Sequence, residues 1–258
     1  MIPLRIAIIG GGPSAAFAYR ACWEMNLNPT VYADKFVIPS GAFYIHEMPP
    51  TCPLSVLHQH EKKVFWMSIG TAEGYAEKMW GDMTIETSFP VVPRVEIGYD
   101  SAIIKWLWTD LNRLRPCGKL TDAGIVALSD QYDLVIQTFP TDESKKYRTI
   151  EYVPVLTKSI APLDTIILLY SGDASPWVRA TFSGDKLSLE YPKEFPATSD
   201  LVNWTFSSIP DLPPDTKPWT KGPSPCVELV GRFAQYDRKM LSHHAYDRTM
   251  KLLKRSRT

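Results

Sequence analysis

Arg5-Ile-Ala-Ile-Ile-Gly-Gly-Gly-Pro-Ser-Ala15 is the stretch that decides the fold. Its apolar first half is typical of a short parallel strand that is buried on both faces. Its second half matches G-x-G-x-x-A: Gly10 allows a tight turn, Gly12 lets the backbone approach a phosphate, and Ala15 keeps the following helix close to the sheet. After that helix, Pro29–Asp34 has the composition of a second strand. This succession predicts a βαβ unit that binds a dinucleotide.

The same turn predicts which groups hold the dinucleotide. Free N–H groups at the start of the helix, from Ser14 onward after Pro13 at the first position, together with the helix dipole, favour a diphosphate. An acidic residue at the end of the second strand normally binds ribose hydroxyls, and Asp34 is the candidate, although Ala33 occupies the commonest position. Lys35 would suit a 2′-phosphate, but the neighbouring acid would repel one. A glycine-rich turn without a ligand is the alternative, and the motif alone does not choose between cofactors.

Further along the chain, the apolar periodicity changes from parallel strands and helices to hairpins. Tyr132–Ile136 predicts another parallel strand, Ser101–Leu114 an amphipathic helix and Thr71–Trp80 a shorter helix that stops at Gly81. Val227–Val230 predicts a strand that leads into a closing helix. Three strand-like runs joined by Ser-Gly-Asp turns predict an antiparallel meander: Leu163–Tyr170, Trp177–Phe182 and Lys186–Tyr191.

These elements predict an α/β fold in which a Rossmann-like parallel sheet is interleaved with a smaller antiparallel-sheet domain. Residues 1–40, 131–150 and 226–258 would form the nucleotide-binding domain. Residues 41–130 would form a helical insertion that faces the substrate. Residues 151–225 would form the antiparallel substrate domain, including a proline-rich crossing loop over 208–225.

Composition excludes several classes of function. The chain has 28 Lys and Arg against 28 Asp and Glu, so no overall field favours nucleic acid or a membrane surface. No apolar run reaches the length of a membrane span, and we expect a cytoplasmic protein with a small-molecule or nucleotide substrate. The cysteines are scattered without a C-x-x-C pair, which argues against a disulfide scaffold, a zinc site and a dithiol redox enzyme: Cys22, Cys52, Cys117 and Cys226.

Three segments together resemble one flavoprotein family, which includes the flavin amine oxidases, protoporphyrinogen oxidase and UDP-galactopyranose mutase. They are the glycine turn, the Tyr132-Asp-Leu-Val-Ile-Gln-Thr-Phe-Pro140 segment and Gly231-Arg-Phe-Ala234. The resemblance covers about a third of the chain and implies that the cofactor is FAD. It implies contacts from Gly231 and Arg232 to the pyrophosphate or ribityl chain, places Thr138 and Pro140 near the cofactor, and puts Gly41 close to the isoalloxazine.

The resemblance also implies an activity. An FAD-dependent oxidoreductase would transfer a hydride from a small amine- or hydroxyl-bearing substrate to the flavin. A flavin-dependent isomerase is the first alternative, and a DNA-base- or nucleotide-modifying flavoenzyme is another, because the short chain also resembles flavoproteins encoded by bacteriophages. A nucleotide-binding scaffold without catalysis is the last. The sequence has no second G-x-G-x-x-G motif, so it predicts no separate NAD(P)H domain.

Three residues are candidates for the chemistry. His46, next to Glu47, could transfer a proton, since histidine titrates near neutrality; a loop histidine bonded to backbone is the alternative. His243 or its neighbour His244 could reach the flavin from the last helix, but not both, because neighbours on a helix diverge.

Arg179 could bind a substrate carboxylate or phosphate, or pair across strands with Glu190. His58-x-His60 lacks a third ligand, so no metal is expected.

Overall fold

A computed structural model gives the arrangement of most of the chain. It describes residues 4–34, 36, 44–84, 87, 89–118, 120–139, 147–153, 161–192, 205–210, 221–235 and 240–255; for residues 80, 147–153, 205–210 and 233 it describes the backbone alone. In this part of the chain the strands form two sheets. None of the helices found there has the length and apolarity needed to cross a bilayer.

The first sheet is parallel, and its strand order marks a ligand site. It contains β1 (Ile6–Ile9), β2 (Thr30–Tyr32), β6 (Leu114–Arg115), β7 (Leu134–Gln137) and β13 (Val227–Leu229), in the spatial order β13-β7-β1-β2-β6. The chain therefore proceeds outward from β1 in one direction through β2 and β6, and in the other through β7 and β13. In open α/β sheets, ligands bind at the carboxyl ends of the strands where this direction reverses, which here lies between β1 and β7.

The second sheet has eight strands in the order β12-β8-β11-β10-β9-β4-β5-β3. All of its neighbours are antiparallel except β4 and β9. We call it the mixed sheet. Its strands are β3 (Tyr44–Ile45), β4 (Glu61–Ile69), β5 (Arg94–Asp100), β8 (Tyr147–Val153), β9 (Thr165–Ser171), β10 (Arg179–Ser183), β11 (Lys186–Tyr191) and β12 (Thr205–Pro210).

Helices connect the strands and cover both sheets. α1 and α7 pack against each other beside the parallel sheet, α5 packs on its other face, and α3 packs on the mixed sheet. The helices are α1 (Pro13–Glu24), α2 (Leu54–His60), α3 (Ala72–Trp80), α4 (Ile104–Leu107), α5 (Asp122–Ser129), α6 (Arg232–Gln235) and α7 (His244–Arg255).

β1 is buried on both faces, which accounts for its unbroken apolar sequence. Ile6 and Ile8 belong to the hydrophobic cluster that contains α1. Ala7 and Ile9 belong to a separate cluster with Ile125 of α5. The predicted parallel strand and the βαβ unit that follows it are therefore confirmed, with β2 and β7 paired in parallel on either side of β1.

Glu24, at the end of α1, ties this helix to α7 and to the loop before α2. Its carboxylate accepts hydrogen bonds from Arg20 Nε at 2.9 Å, from the Tyr246 hydroxyl at 2.6 Å and from the Thr51 hydroxyl. Arg20 is 7% exposed, so the ion pair is largely shielded from water. A charge in such surroundings depends on each of its hydrogen-bond donors.

Tyr246→Phe is expected to lower the free energy of unfolding by about 1.5 to 3 kcal/mol, the usual range for a hydrogen bond to a charged group. Burial, with Glu24 next to it, raises the pKa of Tyr246, so the hydroxyl remains a donor throughout the neutral range. Urea unfolding measures the change. Tyr132→Phe is the matched control, because it removes a neutral 2.9 Å contact to the Tyr32 hydroxyl, and its effect should be the smaller one. Equal losses in the two variants would contradict the account of Glu24.

The predicted helix over Ser101–Leu114 is wrong in length. The structure has a 3-10 turn at Ser101–Ile103 followed by the single turn of α4. The chain leaves the helix because Leu114 and Arg115 pair in parallel with β2 as strand β6. Asp110, with φ of 67°, makes the reversal between the two.

Residues 41–130 are also less helical than predicted. They contribute β3, β4 and β5 to the mixed sheet, and β6 and α5 to the parallel sheet. Strand β8 begins at Tyr147 and belongs to the mixed sheet, although the sequence predicts residues 131–150 as part of the nucleotide-binding domain. His58 and His60 lie in α2.

Other local predictions are confirmed. α3 begins after Thr71, whose hydroxyl accepts from Gly74 N–H at 3.0 Å, and ends before Gly81, whose φ is 71°. Strands β9, β10 and β11 form the predicted antiparallel meander. In the proline-rich stretch, residues 211–220 lie outside the described part of the chain.

Candidate functional site

Gly10 ends β1 in a conformation that favours glycine. Its φ is +127°, and its N–H donates to the Tyr32 carbonyl at 2.9 Å. A Cβ at this position would lie 2.2 Å from Oγ1 of Thr138. Both the backbone angle and the space therefore require glycine, and the turn closes tightly against the end of β7.

Gly12 is different, because the space beside it is open. It precedes α1 with φ of −87° and ψ of −178°, angles that any residue can adopt, and a Cβ would meet no atom within 4 Å. Within the described residues no side chain caps α1, and its first turn carries no acidic residue. A helix start with uncapped amides and open space beside it suits an anion such as a diphosphate.

Segments far apart in sequence meet at this turn. Thr138 follows β7 and donates both its N–H and its hydroxyl to the Ile9 carbonyl, at 3.0 and 2.9 Å. Gly231 follows β13 with φ of +95°, and a Cβ there would lie 2.3 Å from Oγ of Ser14. Four predicted candidates from three separate motifs, Gly10, Ser14, Thr138 and Gly231, therefore lie together at the carboxyl end of the parallel sheet.

The other predicted nucleotide contacts lie around this group. Pro13 is the first residue of α1, Ala15 is fully buried in its first turn, and Arg232 begins α6 directly after Gly231. Asp34 is exposed past the end of β2, whereas Ala33 is buried, so Asp34 is the residue available to a ligand. Three further candidates lie outside the described residues: Lys35, Gly41 and Pro140.

His46 belongs to a triangle of hydrogen-bonding groups. The Tyr44 hydroxyl donates to Oε1 of Glu96 at 3.0 Å and lies 3.2 Å from Nε2 of His46. Nδ1 of His46 lies 3.4 Å from the same Glu96 oxygen. Burial raises the pKa of Tyr44, and burial lowers the pKa of His46 in spite of the opposing effect of Glu96. At neutral pH the tyrosine is therefore protonated and the imidazole is neutral, so His46 can accept a proton.

His243 lies next to this triangle. Its ring centroid is 6.4 Å from that of His46, and its Nε2 is 3.9 Å from Oε2 of Glu47. Burial and the neighbouring His244 lower the pKa of His243. Nδ1 of His244 instead accepts from Leu241 N–H at 3.1 Å, beside the start of α7. The two predicted histidines His46 and His243 are thus brought together, and His244 has a local structural contact.

Aromatic rings line the mixed sheet beside the triangle. Trp66 stacks on Tyr170 with ring centroids 5.6 Å apart and planes 11° apart, and it meets Tyr44 edge-on at 6.4 Å. The Arg94 guanidinium lies 4.1 Å from the centroid of the Trp66 ring. These contacts give the face a flat aromatic wall directly next to the proton-accepting groups.

Arg179 begins β10, which lies between β9 and β11 in the mixed sheet. Strand register places it opposite both Tyr170 and Glu190. Its guanidinium forms an ion pair with Glu190 and donates to the Tyr170 hydroxyl at 3.4 Å. Burial alone would lower the pKa of Arg179, but Glu190 and Tyr170 raise it, so the guanidinium stays charged. Of the two interpretations of Arg179, the cross-strand partner of Glu190 is the arrangement in the structure.

Glu96 is a site residue that the sequence patterns did not bring forward. It lies on β5, and it bridges Tyr44 and His46. The alternation in Arg94-Val-Glu-Ile97 could have indicated it, because a period of two puts Arg94 and Glu96 on one face of a strand.

The site predicts a dependence of stability on pH. Because burial lowers the folded-state pKa of His46 and of His243, the unfolded chain takes up protons first when the pH falls below about 6.5, the ordinary histidine value. The free energy of unfolding should therefore be highest above that pH and should decrease on acidification. A His46→Gln/His243→Gln variant should lose less stability between neutral pH and mildly acidic pH in urea titrations. An identical slope in both proteins would contradict the burial of the histidines.

Comparisons with known proteins find similar folds only among solved structures. No protein-family model matches the sequence, and no curated protein matches it significantly. Among solved structures, a reduced UDP-galactopyranose mutase superposes with a TM-score of 0.59 at 14% identity, over 98% of this chain and 95% of that chain. HpxO of Klebsiella pneumoniae, complexed with FAD, gives 0.53 at 11% identity over 96% and 80%. A thermophilic tryptophan halogenase from Streptomycin violaceusniger gives 0.54 at 7% identity over 97% and 73%.

The chain shares the fold of these solved structures, one of which is complexed with FAD. At these identities the similarity concerns the fold, a Rossmann-like parallel sheet combined with a second, mixed sheet. In this fold the glycine turn follows β1, and the histidine pair lies near the edge strand β3 and the start of α7. The fold part of the predicted resemblance is confirmed.

Proposed function

We propose that the protein is an FAD-dependent oxidoreductase that acts on a small substrate carrying an amine or a hydroxyl group. The observation that carries the proposal is the convergence of Gly10, Ser14, Thr138 and Gly231 on the uncapped start of α1, with open space beside Gly12. The fold similarity to flavoproteins, one of them complexed with FAD, supports the same cofactor.

The residues present fit a dinucleotide. Gly12 leaves room for a diphosphate next to the first-turn amides of α1, and the helix dipole favours its charge. Asp34, exposed beyond β2, would hold ribose hydroxyls. Arg232, at the start of α6 beside Gly231, would add a cation toward the pyrophosphate. A bound flavin would supply the acceptor for the hydride, so the protein has to supply orientation and proton handling.

His46 and His243 would handle the proton. Because its pKa is lowered, the neutral imidazole of His46 accepts a proton from the substrate heteroatom, and Glu96 then stabilises the charged ring through Nδ1. Tyr44 holds the orientation of the ring through its contacts to Nε2 and to Glu96. His243, whose ring lies next to that of His46, would serve as a second proton acceptor.

The wall of the mixed sheet would select the substrate. The charge of Arg179 is balanced by Glu190, so this part of the site favours a neutral or cationic group over an anion. The stacked rings of Trp66 and Tyr170 are buried against Tyr75 of α3, so they would support the histidine pair from behind and exclude water from it. Arg179 would therefore position the wall rather than bind a substrate carboxylate.

The absorption spectrum of the purified protein tests the proposal. We expect a yellow preparation that releases FAD on heating, identified by mass spectrometry, and whose colour bleaches under anaerobic conditions with an amine or alcohol substrate. Turnover only after prior chemical reduction would support the isomerase alternative instead. A colourless chain that cannot be reconstituted with FAD would contradict the proposal and leave the scaffold alternative.

A further inference from the structure

The mixed sheet has a second face that the proposed active site does not use. Strand register assigns Trp66, Glu96, Tyr170 and Arg179 to the inner face, beside the proposed site. Ten apolar side chains on five adjacent strands point the other way, and we call them the outer apolar face: Phe65, Met67, Ile69, Val95, Ile97, Ile167, Leu169, Phe182, Leu187 and Leu189.

This face is open to solvent in the single chain. Val95 is 58% exposed, Ile97 52%, Met67 42% and Ile69 38%, and the other members are half-buried. A sheet with one solvated face normally alternates apolar and polar residues, whereas a strand buried on both faces has a continuous apolar run. β9 contains such a run, Ile166-Ile-Leu-Leu-Tyr170, so its sequence is that of a strand covered on both sides.

The size of the face matches the apolar centre of a protein interface. With about 4.8 Å between strands and about 3.3 Å per residue, the four spacings between the five strands and the four steps from Phe65 to Ile69 cover roughly 19 Å by 13 Å, or about 250 Å². A stable interface buries about 800 Å² on each partner, of which roughly 60% is apolar. The outer apolar face thus supplies about half of the apolar area that one partner needs.

Charge favours a second copy of the same chain as the partner. The chain has equal numbers of basic and acidic residues, 28 of each, so two copies do not repel each other through net charge. At the margin of the face, β4 carries Glu61 and Lys63 two positions apart, both on the outer side. A two-fold axis that passes close to these two residues would bring the glutamate of one copy toward the lysine of the other. Mixed signs of this kind do not suit an anionic membrane surface.

We propose that the outer apolar face is the interface of a homodimer with two-fold symmetry. The dimer does not involve the inner face of each mixed sheet, where the histidine pair and the aromatic wall lie. Because each copy presents the same strands, the interface pairs β4 and β5 of one subunit with the corresponding region of the other. Covering this face also removes an exposed apolar patch that would otherwise promote aggregation.

Sedimentation equilibrium and light scattering on the full chain test the dimer. The wild type should have twice the mass of one chain at micromolar concentrations. Ile97→Lys and Met67→Lys place a charge on the exposed β4–β5 part of the face and should yield monomers, with a dissociation constant raised at least about 100-fold. Val126→Lys is the matched control: Val126 is 38% exposed on α5, beside the other sheet, and this variant should remain a dimer.

A milder variant keeps the test valid if a lysine prevents folding. Val95→Thr/Ile97→Thr retains β-branched side chains suited to a strand and should weaken the dimer while leaving the circular dichroism spectrum unchanged. A monomeric wild type would overturn the proposal, whether the face then binds another segment of the chain or a different protein. A dimer that persists in Ile97→Lys and Met67→Lys would overturn it as well. The dimer is independent of the cofactor, so loss of FAD binding would leave this result unchanged.

Discussion

Gly12→Val is expected to weaken FAD binding at least about 100-fold, which corresponds to about 2.7 kcal/mol, without a loss of fold stability. The physical reason is the open space beside Gly12, where a Cβ would meet no protein atom within 4 Å. Valine fits the backbone angles there, because φ of −87° and ψ of −178° are extended and common to all residues. Its methyl groups would fill the volume that we assign to the diphosphate. Fluorescence titration with FAD and thermal unfolding of the flavin-free protein measure the two effects separately.

The chain offers a matched control for this variant. A Cβ at Gly118 also meets nothing within 4 Å, and Gly118 is exposed in the segment after β6, near Asp34 rather than at the turn that follows β1. Gly118→Val should therefore leave the melting temperature unchanged and weaken FAD binding much less than Gly12→Val does. Gly10→Val gives a third result: the clash with Thr138 and the positive φ should destabilise the protein itself. If Gly12→Val bound FAD as tightly as the wild type, the diphosphate would not lie at this turn.

Glu190→Ala is expected to destabilise the protein by about 3 to 5 kcal/mol, the cost of leaving a buried charge without its partner. Glu190 is 2% exposed, and its partner Arg179 lies mostly buried between Tyr170 and Glu190 on the mixed sheet. With the carboxylate gone, Arg179 keeps its charge and its hydrogen bond to Tyr170 but loses the ion pair. Urea unfolding at neutral pH, followed by circular dichroism, measures the loss.

A double variant separates charge from packing. Arg179→Met/Glu190→Leu removes both charges and retains apolar volume, so it should recover most of the stability lost in Glu190→Ala. Lys186→Ala, on the same strand but exposed, is a control that should change stability by less than about 0.5 kcal/mol. A double variant as unstable as Glu190→Ala would mean that packing, rather than an unpaired charge, dominates at this position.

The parallel sheet was predictable from sequence because its signals are local. The unbroken apolar run before Gly10, the glycine spacing and the apolar strand before Thr138 each depend on residues close together in the chain. The hairpins of β9, β10 and β11 were predictable for the same reason, since Ser-Gly-Asp turns mark their ends. Gly231 was indicated only by resemblance, and the structure gives its physical reason, the contact with Ser14.

The parts that failed depend on pairing between distant segments. Ser101–Leu114 has helical periodicity, but pairing of Leu114 with Val31 shortened the helix. β4 was not predicted because its sequence is neither a continuous apolar run, as in a strand buried on both faces, nor a regular alternation of apolar and polar residues. Its lysines and large apolar residues make sense only once the surroundings of both faces are known. Glu96 was missed with β5, because nothing local indicates that its partners are Tyr44 and His46, which lie about 50 positions earlier in the chain.

Competitive titration of the flavin-free protein tests the central claim most directly, namely that the turn at residues 10–15 binds the diphosphate of FAD. FAD has the diphosphate bridge, whereas FMN has the same ring system with a single phosphate and ADP has the diphosphate without the flavin. We predict that FAD binding quenches the fluorescence followed in the titration and that ADP competes with FAD for the site. FMN should bind at least about 100-fold more weakly than FAD. Equal affinities for FAD and FMN, or no competition by ADP, would contradict the claim.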